Sequence, residues 1–314
     1  MDVAGGVLAG DPRAIARAIS MVEDGAGELP ALSAALFPRT GRAWTVGLTG
    51  SPGVGKSTLA GALVRSARED GARVAVLAID PTSPFTGGAL LGDRLRMQEH
   101  ATDPGVFIRS MATRGHLGGM ALAAPEAVRI LDAAGHDLVI VETVGVGQAE
   151  VDVAAATDTT LVVVSPGWGD AVQVAKAGIL EIADVFVVNK ADREGADTAV
   201  RDLEAMLHLG SATPWTPPVV AVSAADGSGV ADLRAAIARH RAHLEDAGLV
   251  APLRRTRLLR EVEALAAEGL RRVLRERLED DPDLGDALLG RRVDPYAAAA
   301  ALGAAAADRG PDGG

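Results

Sequence analysis

Residues 50–57 read Gly-Ser-Pro-Gly-Val-Gly-Lys-Ser, between an apolar β-branched run, WTVGLT (44–49), and a helical stretch, TLAGALVRSARED (58–70). No other feature constrains the fold as tightly. The spacing G-x-x-x-x-G-K-S after a strand and before a helix is a phosphate-binding loop. Glycines let backbone N–H groups turn inward around an anion, and the helix N-terminus adds its dipole. Gly50, Ser51, Pro52, Gly53, Val54, Gly55, Lys56, Ser57 and Thr58 form this loop. The Lys56 ammonium is expected to reach the terminal phosphates and the Ser57 hydroxyl to sit on Mg²⁺.

Such a loop demands a parallel sheet, and the chain supplies the strands. Seven continuous apolar runs, at 44–49, 73–79, 105–110, 137–141, 159–165, 184–189 and 218–223, alternate with helical segments. Runs of this kind are strands buried on both faces, so the expected fold is α/β, a mostly parallel P-loop NTPase sheet with helices on both faces. Residues 10–37 read as helical, with a break at GAGELP (25–30). After about residue 248 no strand appears. Leu258, Val262, Leu265, Leu270, Val273 and Leu278 instead form a helical apolar stripe beside eight arginines between Arg254 and Arg277. The expected organisation is an N-terminal helical extension (1–41), a G domain (42–248) and a C-terminal helical arm (249–314).

Composition narrows the function. A net charge of −11 argues against a nucleic-acid binder, and no segment reads as a membrane span or leader. The absence of cysteine removes disulfides and thiolate chemistry and fits a reducing compartment, so the expected location is the cytoplasm. Six scattered histidines, with His240 and His243 at i, i+3, do not make a metal site. Three of the 31 basic residues are lysines, Lys56, Lys176 and Lys190, which leaves 28 arginines. Lysine survives where a compact ammonium works and a planar guanidinium does not.

Two of those lysines fall in nucleotide motifs. VVNKAD (187–192) places Asn189, Lys190 and Asp192 at a strand end. An aspartate there accepts from guanine N1–H and N2–H₂, which adenine cannot offer, while the lysine stem covers the ring. Ser223-Ala224 follows the last strand and matches the element whose backbone N–H meets guanine O6. The ordered set of phosphate loop, strand-end acid, NKAD and SA selects guanine.

The strand-end acid is unusual. LVIVETVGVGQ (138–148) ends its strand on Glu142 where aspartate is commoner, with Gly145 three residues on and Gln148 displaced from the glycine. Glu142 is expected to hold the magnesium shell or orient the attacking water, and the Gly145 N–H to sense the γ-phosphate.

AIDPTSPFTGGALLGDRLRM (78–97), IRSMATRGHLGGM (108–120), ETVGVGQAEVD (142–152) and SPGWGDAVQVAKAG (165–178) resemble the MeaB/ArgK family of P-loop GTPases over nearly the whole chain. The resemblance implies a GTPase chaperone of an adenosylcobalamin-dependent acyl-CoA mutase, such as methylmalonyl-CoA mutase, that gates cofactor loading and protects the client. It also implies Mg²⁺, a GTP/GDP cycle and a homodimer built through the C-terminal arm, with neither nucleic acid nor membrane as partner. Asp80 becomes an outer magnesium-shell or water-positioning carboxylate. Asp93, Arg109, Arg114, Gln148, Trp168 and Lys176 become switch or partner residues, with Arg109 or Arg114 drawn toward the phosphate by the client. The rival readings are a GTP-regulated scaffold with incidental hydrolysis, and a nickel-insertion GTPase.

Overall fold

A computed structural model describes residues 2–80, 100, 102–112, 119–143, 153, 155–167, 181–209 and 214–307. Its centre is a seven-stranded sheet: β1 (Trp44–Thr49), β2 (Val74–Asp80), β3 (Val106–Ala112), β4 (Leu138–Thr143), β5 (Thr159–Val164), β6 (Val185–Asn189) and β7 (Val219–Val222). All seven lie within one residue or two of the apolar runs in the sequence. The spatial order is β3-β2-β4-β1-β5-β6-β7, and every pairing is parallel. From β1 the chain crosses to one side of the sheet for β2 to β4, then to the other for β5 to β7. The C-terminal edge of β1 is therefore a topological switch point, where α/β sheets bind ligands.

Side chains alternate between two covered faces. On one face Val46 and Leu48 of β1 meet Leu59, Leu63 and Val64 of α4 (Lys56–Glu69) and Leu233 and Ala236 of α7 (Val230–Asp246). On the other, the β2–β4 half packs against α1 (Val3–Leu8), α2 (Pro12–Asp24), α3 (Leu29–Leu36) and α5 (Gly119–Ala133). The β5–β6 half packs against α6 (Ala196–Leu209).

The N-terminal helices are part of this core. Asp11 caps α2 by accepting from Arg13 N at 3.0 Å, Pro12 opens it, and Gly25 closes it at φ +60°. Ile15, Ile19 and Val22, at helical spacing, pack with Leu77, Ile79 and Val141. Each such side chain contributes roughly 1.5–3 kcal/mol when fully buried.

The chain divides into two compact units, Met1–Arg257 and Leu258–Gly314. The sheet, its helices and the first turns of α8 (Val250–Asp280) form the first. The second contains the rest of α8, α9 (Pro282–Leu289) and α10 (Pro295–Ala307). Among the described residues, no helix is long and apolar enough to cross a membrane.

Candidate functional site

The site is built where β1 ends. Gly50, Gly53 and Gly55 have φ of +135°, +81° and +96°, the left-handed half of conformational space that glycine alone enters without strain. At Gly50 space forbids a side chain as well, because a Cβ would collide with the Val163 carbonyl of β5. At Gly55 a Cβ would lie 2.5 Å from Asn189 Nδ2. Gly55 is also the N-cap of α4 and offers no side-chain acceptor, which leaves the first-turn N–H groups facing the loop.

Lys56 and Ser57 are both buried in that first turn. The Lys56 ammonium donates to the carbonyls of Gly50 and, at 3.2 Å, Ser51, so it lies across the loop's mouth. The Ser57 hydroxyl donates to Glu142 Oε1 at 2.6 Å. Sheet register explains this meeting of residues 85 positions apart. Leu48 of β1 pairs with Glu142 of β4, so the strand-end acid emerges beside the loop that follows β1. The two oxygens expected to share a magnesium shell are thus in contact at a buried point. Asp80 ends β2, next but one to β1, and its backbone alone is described. Asp93, Arg114, Gly145, Gln148, Trp168 and Lys176 lie outside the described residues.

Asn189 has a role that its motif does not spell out. Its side chain is 2% exposed and joins two loops. Nδ2 donates to Val54 O at 2.8 Å, and Oδ1 accepts from Ala224 N at 3.2 Å. The phosphate loop, the β6 end and the β7 end are thereby fixed to one another. Lys190 sits at φ +60°, uncommon for a residue with a side chain, and its ammonium reaches Gly53 O at 2.5 Å. That conformation costs on the order of 1–3 kcal/mol. It is held by Ala191 N donating to Val222 O and Arg193 N donating to Lys190 O, each at 3.0 Å. Asp192, next in the motif, is exposed to whatever lies on this rim.

The Ser223-Ala224 loop is equally constrained. Ser223 N donates to Ser228 O, and Gly227 N to Ser223 O, each at 2.9 Å. The N–H of Ser228, donated at 2.8 Å, holds the Asp226 carboxyl below its usual range. This carboxylate cap was not read from the sequence, although Asp-Gly-Ser-Gly after the strand was its turn signal.

Arg109 is placed elsewhere. It pairs with Leu77 in register and faces α2, on the side of the sheet opposite α4. Its Nη2 donates to Glu23 Oε2 at 2.7 Å and Ser20 Oγ at 2.9 Å. Its guanidinium neutralises a buried glutamate of the N-terminal helices and does not reach the phosphate loop. His240 and His243 pack on Trp215, with ring centroids 5.0 and 5.1 Å away. No group of three or more histidine, aspartate or glutamate side chains that could hold a metal occurs among the described residues.

Comparison with known proteins agrees with this architecture. The family described as methylmalonyl Co-A mutase-associated GTPase MeaB matches residues 15–279. A Pyrococcus horikoshii protein named as a GTPase is 49% identical over 92% of this chain and 93% of its own. The GTPase ArgK of Escherichia coli is 37% identical over 78% of this chain and 77% of its own. Among solved structures, that of an LAO/AO transport system kinase superposes with a TM-score of 0.70 at 26% identity, covering 96% of this chain and 95% of the other.

Proposed function

The chain belongs to the MeaB family of P-loop GTPases, and from that premise we propose a Mg²⁺-dependent GTP/GDP switch that serves an adenosylcobalamin-dependent acyl-CoA mutase. In this reading, GTP hydrolysis to GDP and phosphate gates cofactor loading and guards the client against inactivation. The protein acts in the cytoplasm as a homodimer. The contact between Ser57 Oγ and Glu142 Oε1 carries the hydrolytic half of the proposal. The mutase-associated description of the family supports the choice of client.

A magnesium ion suits these residues. Ser57 and Glu142 offer adjacent hard oxygens with no sulfur or imidazole among them, and Asp80 ends a nearby strand. Held by Ser57 and Glu142, the ion would supply neutralisation of phosphate charge. The remaining work falls to the chain. Backbone N–H groups of residues 53–57 would donate to the phosphate oxygens, and Lys56, held by the Gly50 and Ser51 carbonyls, would present its positive charge to the γ-phosphate. Glu142 accepts a proton-bearing ligand and orients it. Asn189 keeps the phosphate and base loops in fixed relation. Positioning and electrostatic stabilisation of this kind make up most of catalysis in phosphoryl transfer. Because the glutamine is displaced from the glycine of the strand-end motif, intrinsic turnover is expected to be slow and to rise when the client orders the site.

The test is to co-purify the protein with candidate cobalamin mutases and measure GTP hydrolysis with and without each. Stimulation by one mutase is the expected result, and a fast rate independent of every client would contradict it. Replacing Glu142→Gln should lower hydrolysis by about 10²-fold or more, the scale of losing one aligned catalytic group. If that variant hydrolyses poorly yet still loads cofactor at the normal rate, the protein is a GTP-regulated scaffold and hydrolysis is incidental.

A further inference from the structure

The long helix α8 carries an apolar face that its own chain leaves open. Val262, Leu265, Leu270 and Val273 fall on one side of the helix, and all four are exposed. Gly269 lies on the same side, in the helix interior, where glycine weakens a helix relative to alanine. A Cβ built at Gly269 would have no neighbour within 4 Å, so nothing among the described residues calls for its absence. A glycine there, with Ala266 one turn earlier, suits the close approach of a second helix.

The order of residues along this face is its own mirror image. Val262-x-x-Leu265 is answered by Leu270-x-x-Val273 about a point between Ala267 and Glu268. Turning a second helix end for end about that point lays Val262 on Val273, Leu265 on Leu270 and Ala266 on Gly269. The charges run in one sense only. Residues 254–260 hold four arginines and no acid, whereas residues 276–283 hold five acids and one arginine. Arg254 and Arg257 are engaged by Asp158, which leaves Arg255 and Arg260 exposed at the basic end. Two copies running in the same direction would set arginines against arginines and acids against acids. Two copies running in opposite directions set the basic end of each against the acidic end of the other, twice. Exposed ion pairs individually add little stability, but flanking charges select the orientation of paired helices.

We propose that α8 pairs antiparallel with α8 of a second copy of this chain, with the two-fold axis passing between residues 267 and 268. The apolar mirror sets the register, the charge order sets the direction, and Gly269 lets the two backbones approach. A two-fold axis perpendicular to the helices generates this arrangement, and an axis along them generates the parallel one. The inference rests on the homodimer proposed above and adds to it a direction and a register. Charge reversal at the basic end should disturb it: Arg255→Glu with Arg260→Glu is expected to raise the dimer Kd about tenfold at low salt, and less at high salt. An unchanged Kd would contradict the pairing of basic with acidic ends.

Disulfide trapping in the full-length protein is the decisive test. The chain has no cysteine, so introduced thiols report on this pairing alone. Val262 and Val273 lie about 16 Å apart along one helix, beyond the reach of a disulfide, so a bond between these positions must join two copies. After oxidation with diamide, the double variant Val262→Cys, Val273→Cys should migrate mainly as a covalent dimer on non-reducing electrophoresis. Each single variant should migrate as a monomer, because antiparallel helices hold its two copies about 16 Å apart. Cross-linking of either single variant with itself would reveal parallel helices and overturn the proposal. A dimer in solution that no variant traps would overturn it too. Light scattering on the wild-type protein separates the failures: a monomer removes the homodimer itself, whereas a dimer with the wrong cross-links removes only the antiparallel pairing of α8.

Discussion

A single carboxylate is expected to choose the base. Asp192 stands exposed just past the end of β6, two residues beyond Lys190, whose left-handed backbone aims the motif at the rim of the phosphate loop. Two acceptor oxygens match the two donors on the guanine N1–N2 edge. In Asp192→Asn one acceptor becomes a donor that faces guanine N2–H₂, and the same donor complements the O2 carbonyl of xanthine. A site built on hydrogen bonds rejects a mismatched partner by far more than an apolar pocket rejects a missing methylene. GTP affinity should therefore drop by roughly 10²-fold or more while xanthosine triphosphate gains affinity. Competition against a fluorescent GDP reads both, and a variant that still prefers GTP would remove Asp192 from the base site. Asn189, three residues earlier, is no direct rival for this role because both ends of its amide are engaged by Val54 and Ala224.

At the scale of elements, the N-terminal ends of β1 and β5, opposite the phosphate loop, hold a polar network with a pH signature. Trp44 Nε1 donates to Thr159 Oγ1 at 3.0 Å, and that hydroxyl donates to His240 Nδ1 at 3.0 Å. The Nε2–H of His240 is left to meet Asp184 Oδ1 at 3.3 Å, which ties β1, β5, the start of β6 and α7 together. The geometry resembles an ion pair, yet burial pushes Asp184 up to about 6 and His240 down to about 4, so the neutral imidazole is the native form near pH 7. The signs oppose. Asp184 takes up its proton more readily folded than unfolded, so its share of stability falls as pH rises from about 4 to 6. His240 takes up its proton more readily unfolded, so its share rises with pH from about 4 to 6.5. Neither shift has the other group as its main cause, so each should survive removal of its partner. Relative to wild type, urea denaturation of His240→Gln should show stability declining over that window, and Asp184→Asn should show it climbing; parallel profiles for all three proteins would refute the assignment. No part of this network was legible in the sequence, nor were Arg254 with Asp158, Asn189 with Val54 or Arg109 with Glu23, pairs 96, 135 and 86 residues apart. Strands buried on both faces announce themselves as apolar runs, and a phosphate loop needs fixed residues at fixed spacing. A side-chain pair across the fold leaves no local pattern. That is why nothing in the sequence around Arg109 points to Glu23 and Ser20, the side chains its guanidinium meets in the folded chain.

At the scale of the whole molecule, the first unit holds every described nucleotide motif, and the second exposes an apolar stripe. Val262 is 61% exposed and Leu265 53%, with Leu258, Leu270, Val273 and Leu278 also open along α8. Single exposed leucines are ordinary, but a stripe at helical spacing over several turns of one helix suits the contact that the proposed homodimer requires. Arg271 and Glu268, paired at 3.2 Å, belong to its charged border, as the rim of an interface requires. The proposed homodimer would cover this stripe with its own copy, since a two-fold axis sets the same patch against itself. Light scattering on the wild-type protein should then report twice the 32.0 kDa chain mass. Val262→Asp combined with Leu265→Asp would bury two charges per subunit at the centre of that contact, where an unpaired charge costs several kcal/mol. The double variant should run as a folded monomer. Its circular dichroism should be unchanged, because neither side chain is buried within the chain, and its GDP affinity should match wild type, because the motifs lie in the other unit. A wild-type protein that is monomeric at micromolar concentration, or a double variant that remains a dimer, would show that this stripe serves some other surface.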